Sequence, residues 1–232
     1  MAKHMRVVLE VGPKGRKVVA VAPDWPGLAR GATTEEAAIE RLRAYVSRYA
    51  AVTKLAGMEA AFANLTNIDV IEQYPGTGST DFWGISFAFS SIDRQAMSGE
   101  ALERELRLMQ ACWAFFDAVR SRVSAALRRG PRGGGRDRDH IVRHTFAAEL
   151  DWALVIGVLT SLDAMLTTEG VSAHRSAYCE SIRALHVQGK MAHKWPLRYM
   201  IRHTAFHTLD HAWEMEDKDL SATQGERSSS HP

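Results

Sequence analysis

The sequence has few cysteines, no long hydrophobic run and little net charge, and each shortage excludes a class of protein. Two cysteines in 232 residues are too few for a disulfide framework. No stretch approaches the roughly 18–20 apolar residues that a membrane-spanning helix needs. Lys and Arg total 29 against 27 Asp and Glu, and a formal charge of +2 is too small to indicate a protein that coats nucleic acid. We therefore expect neither a membrane nor a nucleic acid as partner.

The first ten residues, MAKHMRVVLE, lack the apolar core of a signal peptide, so the reducing cytoplasm is the expected location. With 46% hydrophobic and 24% charged residues, the composition is that of an ordinary globular protein. A chain of 232 residues favours one large domain or two small ones.

The N-terminal part reads as a small α/β unit that extends to about residue 95. Residues 6–11 (RVVLEV) and 17–22 (KVVAVA) are rich in β-branched residues and flank a Pro-Lys-Gly turn signal, which predicts a hairpin. A helix follows, with Thr33 or Thr34 as its N-cap. A third strand is predicted over 68–73. The segment 83–89 (WGISFAF) fits either a strand or packing between domains.

From Gly99 onward the pattern changes to long helices. Apolar residues at helical spacing predict helices over about 99–129, 140–159, 173–188 and 196–217. The fold class expected is therefore α+β, with an α/β unit over 1–95 followed by an up-and-down four-helix bundle over 98–219. The polar tail, 220–232, is predicted to be disordered.

The chain is rich in histidine, with ten in all. His203, His207 and His211 are spaced by four, so they share one helix face, and two neighbouring imidazoles can converge on one ion. The outer two lie about 12 Å apart along the axis, which is too far for a shared ion. One adjacent pair plus a histidine from another helix is the feasible arrangement. His144, in the apolar segment IVRHTFAAEL, is the candidate from the second helix.

Three neutral imidazoles that leave coordination positions open are typical of a catalytic metal site rather than a closed structural one. An HxxxH pair alone is a weak motif, and chance or surface placement is the competing interpretation. His140 and His144 form a second such pair, but His140 follows a charged run and fits a solvated helix start. Glu149 and Asp151 are candidates to hydrogen-bond a ligand imidazole, or else belong to a solvated face.

The segments IVRHTFAAELDWA and FHTLDHAWEMED resemble the second and fourth helices of DinB-like proteins. This superfamily of four-helix bundles includes metal-dependent thiol-linked S-transferases and maleylpyruvate isomerases. The resemblance implies a divalent metal ion held by His144, His207 and His211, with zinc, nickel and iron not distinguished. His203 permits a second register, in which His203 and His207 form the pair. A low-molecular-weight thiol as cofactor and a small-molecule substrate are also implied.

The segment behind the predicted hairpin, PDWPGLARGATTEEAAIERLRAYVSRY, resembles the HicB-like antitoxin fold, a ββαβ unit. The matching residues are Pro23, Pro26, Gly27, Gly31, Thr34, Glu35, Glu36 and Ala37. In toxin–antitoxin pairs this unit masks a toxin, whereas here the resemblance implies a recruited interaction domain or substrate-facing domain. The structural interpretation is that Pro and Gly form a turn, Thr34 caps the helix and the two glutamates complement its dipole.

Two hypotheses of function follow. The first is a metal-dependent transferase or hydrolase that acts on a small molecule through the histidine site. The second is a non-catalytic protein, associated with stress or toxin systems, in which the histidines are structural or vestigial. A homodimer is expected on the argument that the apolar stripe of the first long helix includes Trp113 and Phe115, which look exposed.

Overall fold

The protein, in a computed structural model that describes residues 3–63, 65–130 and 135–221, has a mixed α+β fold. Within these ranges it forms one four-stranded sheet and nine helices, which confirms the predicted α+β class. The chain divides into two compact units, of which the first comprises residues 1–112 with 194–206 and the second 113–193 with 207–232.

These bounds differ from the predicted division at residues 95–98. Two helices, α5 (Gly99–Arg122) and α9 (Leu197–Lys218), each contribute residues to both units. The change in sequence pattern near residue 95 marks where helical periodicity begins. A boundary between compact units, in contrast, depends on which side chains pack together, and it can fall inside a helix.

The sheet belongs to the first unit and has the order β3-β2-β1-β4. Its strands are β1 (Lys3–Val11), β2 (Val18–Val21), β3 (Ala29–Ala32) and β4 (Leu65–Pro75). The predicted hairpin is present as antiparallel β1 and β2, and the third predicted strand is β4, which runs parallel to β1. Strand β3 was not predicted, and residues 84–89 form no strand.

Helix α1 (Glu35–Leu55) follows β3 and packs against strands β2 and β3 of the sheet. Thr34 is its N-cap, because the Thr34 side chain accepts a hydrogen bond from the Ala37 backbone N–H. Tyr49 on its buried face donates a hydrogen bond of 2.8 Å to the Pro26 carbonyl and contacts Trp25 edge to face. The helix is thereby fixed against the turn that follows β2.

A buried polar network holds the irregular segment 84–93 of the first unit. Glu10 of β1 is fully buried and is the acceptor for three side chains and two backbone N–H groups. Its donors are the hydroxyls of Tyr74, Thr80 and Ser86 and the backbone N–H groups of Phe87 and Ala88. Buried Arg202 donates to Asp93 at 2.7 Å and to Ser86 at 3.0 Å. Five donors on one carboxylate offset the cost of burying its charge.

The remaining helices include four short ones. The short helices are α2 (Glu59–Phe62), α3 (Gly78–Trp83), α4 (Ser91–Arg94) and α7 (Leu162–Met165), and the other two long ones are α6 (Arg138–Val155) and α8 (Thr168–Val187). All four predicted long helices are therefore present. The predicted tail lies outside the described residues from position 222 onward.

The first long helix ends at Arg122, earlier than predicted, because the next residues bond to the end of α9. The Ser124 backbone N–H donates to Asp219 Oδ1 at 3.0 Å, and the Ser124 hydroxyl donates to the same oxygen at 2.6 Å. The Arg128 N–H then donates to the Lys218 carbonyl at 2.8 Å. The backbone N–H groups of Ser124 and Arg128 thus find acceptors on the last residues of α9 and its end, in place of the carbonyls of a continued helix.

Segments of four long helices meet in the core of the second unit. Phe116 of α5 contacts Phe146 of α6, and Trp113 lies edge to face with Tyr178 of α8. Trp113 is 2% exposed and Phe115 is 7% exposed. The argument for a homodimer from the exposure of these two side chains is therefore wrong, because the chain itself buries them. The homodimer stays a prediction.

None of the helices in the described part of the chain combines the length and the apolar character needed to cross a bilayer.

Candidate metal centre

Two helices of the second unit supply the three predicted histidines. Helix α9 carries His207 and His211 one turn apart, so both side chains project from the same face. Helix α6 carries His144 in its second turn, and its start is fixed by Asp137, whose side chain accepts from the His140 backbone N–H at 2.8 Å. The histidines thus lie on regular helices rather than on loops, which limits their positions.

The three imidazoles form one cluster. Their ring centroids are 5.2 Å apart for His144 and His207, 4.9 Å for His144 and His211, and 4.5 Å for His207 and His211. One nitrogen from each ring can be chosen so that all three lie within 4.8 Å of one another. His144 is exposed, His207 is half-buried and His211 is buried, so the cluster is open to solvent on the His144 side.

This donor set fits a divalent metal ion. Tetrahedral zinc lies about 2.0–2.1 Å from each imidazole nitrogen. The three nitrogens, within 4.8 Å of one another, are close enough for one ion to reach all of them. A ligand imidazole must be neutral. Partial desolvation of the His144 ring by its neighbours, together with His211 and Arg136, lowers the pKa of this otherwise exposed residue and favours its neutral form.

Glu214 lies directly behind His211. Glu214 Oε2 is 2.9 Å from His211 Nδ1, and the Glu214 side chain is 2% exposed. Burial raises the pKa of Glu214, but hydrogen bonds from His211 and Lys218 outweigh it and hold the pKa well below its usual range. An ionised carboxylate can only accept, so His211 donates from Nδ1, and Nε2 is the nitrogen through which the neutral ring can bind a metal.

Two cations hold Glu214 in place. Lys218 Nζ donates to Glu214 Oε1 at 2.8 Å, and Arg136 Nη2 lies 3.2 Å from Glu214 Oε2. Lys218 is one turn further along α9, whereas Arg136 precedes α6. The carboxylate that orients His211 is therefore anchored to α9 and to the connector directly before α6.

An aromatic side chain forms one wall of the cluster. The Trp152 ring lies edge to face with His207, with the centroids 5.1 Å apart. Trp152 lies on α6 eight residues after His144, so it is on the same side of that helix. It restricts the orientation of the His207 ring and gives the site an apolar side.

His203, the alternative ligand, makes its contacts in the first unit. Its ring stacks on Tyr199 with centroids 5.1 Å apart and lies 5.6 Å from the ring of Trp195. Burial lowers its pKa to about 3, and the charge of Arg202 adds to that shift. The structure places His203 among aromatic rings and outside the three-histidine cluster.

The other candidates from the sequence lie elsewhere. His140 is exposed at the start of α6, as predicted for a solvated residue. Glu149 is buried, and it accepts from Arg175 Nε at 3.0 Å instead of contacting a cluster histidine. Asp151 is exposed.

The sequence interpretation missed Glu214, Lys218, Arg136 and Trp152. Spacing gives a signal for two of them, since Glu214 and Lys218 follow His211 by three and seven residues on one helix face. Arg136 lies in the Gly- and Arg-rich connector, where no periodic pattern exists.

No family model matches this chain, and comparison with curated proteins and with solved structures gives no match either.

Proposed function

We propose that this protein is a metal-dependent transferase or hydrolase with His144, His207 and His211 as its metal ligands, and that residues 98–219 form a DinB-like four-helix bundle. The observation that carries the proposal is the convergence of three imidazoles from two helices within 4.8 Å. A carboxylate behind His211 adds the kind of contact that metal-ligating histidines almost always make through their second nitrogen.

The residues of the chain have separable roles. The three histidines offer neutral nitrogen donors, and Glu214 fixes the tautomer of His211. The exposed side of His144 leaves room for water, a thiol or a substrate to approach, whereas Trp152 limits access beside His207. A divalent ion bound there supplies Lewis acidity that lowers the pKa of a coordinated water or thiol toward neutrality.

A low-molecular-weight thiol is the nucleophile that we propose for the transferase reaction. Its sulfur forms a bond to an electrophilic carbon of a small molecule, the leaving group departs with its electron pair, and the thiol proton passes to solvent. For the hydrolase reaction, water takes the place of the thiol. Imidazole donors suit zinc, nickel and iron, so we propose one of these three as the metal.

Residues 1–95 are proposed to be a HicB-like interaction domain or substrate-facing domain. The hairpin, the helix capped by Thr34 and the return of β4 beside β1 support that arrangement.

The experiment is a turnover assay on protein loaded separately with zinc, nickel or iron(II). Low-molecular-weight thiols are paired with an electrophilic chloroarene, and an activated ester tests hydrolysis. We expect turnover with one metal and its loss in His207→Ala. His140→Ala is the control, because it removes an exposed histidine of α6 that is not a ligand, and it should keep the turnover. Stoichiometric metal without turnover of any pair would favour the non-catalytic alternative.

A further inference from the structure

The first unit contains a cavity that the proposed metal chemistry does not use. Its volume is about 420 Å³, which is within the range of small-molecule sites. Seven side chains with charge or aromatic character line it: His4 and Arg6 of β1, Asp24 and Trp25 of the turn after β2, Arg104 and Glu105 of α5, and Arg198 of α9.

The charges in this cavity do not cancel. Arg6 pairs with Asp24 through two contacts of 2.8 and 2.5 Å, and Arg198 Nε donates to Glu105 Oε1 at 2.9 Å. Arg104 is the third guanidinium, and no carboxylate of the described residues pairs with it. It donates to the Asp24 carbonyl at 2.7 Å and lies 4.7 Å from the centre of the Trp25 ring. One positive charge is therefore left in excess, which favours an anion.

Glu105, in contrast, requires a hydrogen-bond donor from whatever fills the cavity. The residue is 5% exposed, and Oε2 has no hydrogen-bond partner in the described part of the chain. A buried acceptor left without a donor is costly. Burial also raises the pKa of Glu105 to about 7, although the positive charges of Arg198 and Arg104 oppose that shift. Glu105 Oε2, which requires a hydrogen-bond donor, therefore lines the same cavity as Arg104, whose charge no carboxylate in the described ranges pairs with.

We propose that this cavity binds hydrogen phosphate, whose anionic oxygens pair with Arg104 and whose O–H donates to Glu105 Oε2. A tetrahedral oxyanion that keeps one proton meets both demands at once. A fully deprotonated oxyanion pairs with Arg104 but has no hydrogen to donate to Glu105 Oε2, and its negative oxygen repels the carboxylate. The site is distinct in residues and in chemistry from the histidine cluster.

The comparison of phosphate with sulfate tests this directly. The two ions have the same shape and, at pH 8, the same principal charge, but only hydrogen phosphate keeps an O–H. At pH 8 Glu105 is mostly ionised, so it cannot readily donate to sulfate. The charged groups that act on Glu105 are Arg198, Arg104 and Asp24, and His4 also lines the cavity.

Isothermal titration calorimetry of the full chain at pH 8 should show phosphate binding and at least about tenfold weaker sulfate binding, the effect of one charge-assisted hydrogen bond. In Glu105→Gln the amide can accept from phosphate or donate to sulfate, so the ratio should fall below about threefold. Equal affinity for the two ions in the unmodified protein, or no binding of either, would overturn the proposal.

Variants of two arginines on α5 assign the signal to the cavity. Arg104→Gln should weaken phosphate binding at least about tenfold, whereas Arg107→Gln, the same charge change at an exposed residue one turn later, should leave it within about twofold. Arg104→Lys keeps the charge but loses the paired N–H donors, so it should also weaken phosphate binding, by about threefold or more, and it covers the case in which Arg104→Gln fails to fold. A metal ion at the histidines could also attract phosphate, so unchanged binding in both Arg104 variants would show that the cavity is not the site.

Discussion

Glu214 accepts a hydrogen bond from His211 Nδ1 across 2.9 Å. This contact fixes which nitrogen of the His211 ring faces the other two imidazoles as a possible metal donor. Without a fixed acceptor at Nδ1, either ring nitrogen of His211 can hold the proton. With the carboxylate ionised and held by Lys218 and Arg136, only Nε2 is left to bind. This contact therefore predicts how the affinity for metal depends on a residue that is not itself a ligand.

Replacing Glu214 with Gln should lower the affinity for zinc by about 10- to 100-fold, the usual cost of removing a carboxylate behind a ligand histidine. The neutral amide accepts a weaker hydrogen bond, so the ring of His211 is less firmly oriented and less basic. Competition with a chromogenic chelator measures the affinity without reference to turnover.

Glu216→Gln is the matched control, because Glu216 lies two residues further along α9, is partly exposed and pairs with Arg122. Its zinc affinity should equal that of the unmodified protein. Equal affinities in both variants would show that Glu214 has only a structural role.

The histidines could be predicted from sequence because spacing along one helix, or a local family-like segment, carried the information. His207 and His211 were identifiable from their separation of four, and His144 from a family-like segment. Arg136 approaches Glu214 from a connector 78 residues away in sequence, and nothing in its neighbours indicates that contact. Glu149 looked like a partner for a histidine, but Arg175 takes both of its oxygens.

The fold shows the same limit. Helices and the hairpin follow from local periodicity, so they were predicted. Strand β3 has the sequence ARGA, which has little intrinsic strand preference, and it forms because its backbone pairs with β2. The buried Glu10 contacts residues 64–78 positions away, which no local pattern can indicate.

Removal of the Glu10 carboxylate should destabilise the first unit strongly. Glu10→Ala leaves five donors without their acceptor in a buried place, and we expect a loss of about 3 kcal/mol or more in the free energy of unfolding. Glu72→Ala removes a carboxylate that accepts from Ser91 near the surface and should cost about 1 kcal/mol or less. Urea unfolding compares the two; similar losses would contradict the importance of the network.

Acid should destabilise the protein through His203. Its pKa is about 3 in the folded chain against an ordinary value of 6.5, so the unfolded chain binds the proton more readily between these values. The contribution is complete above pH 6.5 and declines as the pH falls toward 3. Between pH 7 and pH 5 the loss should be about 2 kcal/mol.

His203→Phe removes this titration and keeps an aromatic ring against Tyr199. Its free energy of unfolding should decline less between pH 7 and pH 5 than that of the unmodified protein, by about the same 2 kcal/mol. His140→Gln, at an exposed histidine, should leave the pH dependence unchanged. A His203→Phe curve parallel to the original would show that His203 is protonated equally well in both states.

The two possible registers of the α9 histidines predict different metal contents. With His207 and His211 as the pair, His207→Ala and His211→Ala should lose stoichiometric metal, and His203→Ala should keep it; elemental analysis of folded protein measures this. Because His203 is buried, His203→Phe serves as a second variant if the alanine variant unfolds. Loss of metal in both His203 variants with retention in His211→Ala would establish the other register, and retention in all variants would reject the metal site. The first outcome is the expected one because the His203 ring stacks on Tyr199 in the first unit, whereas the rings of His207 and His211 lie 4.5 Å apart beside His144.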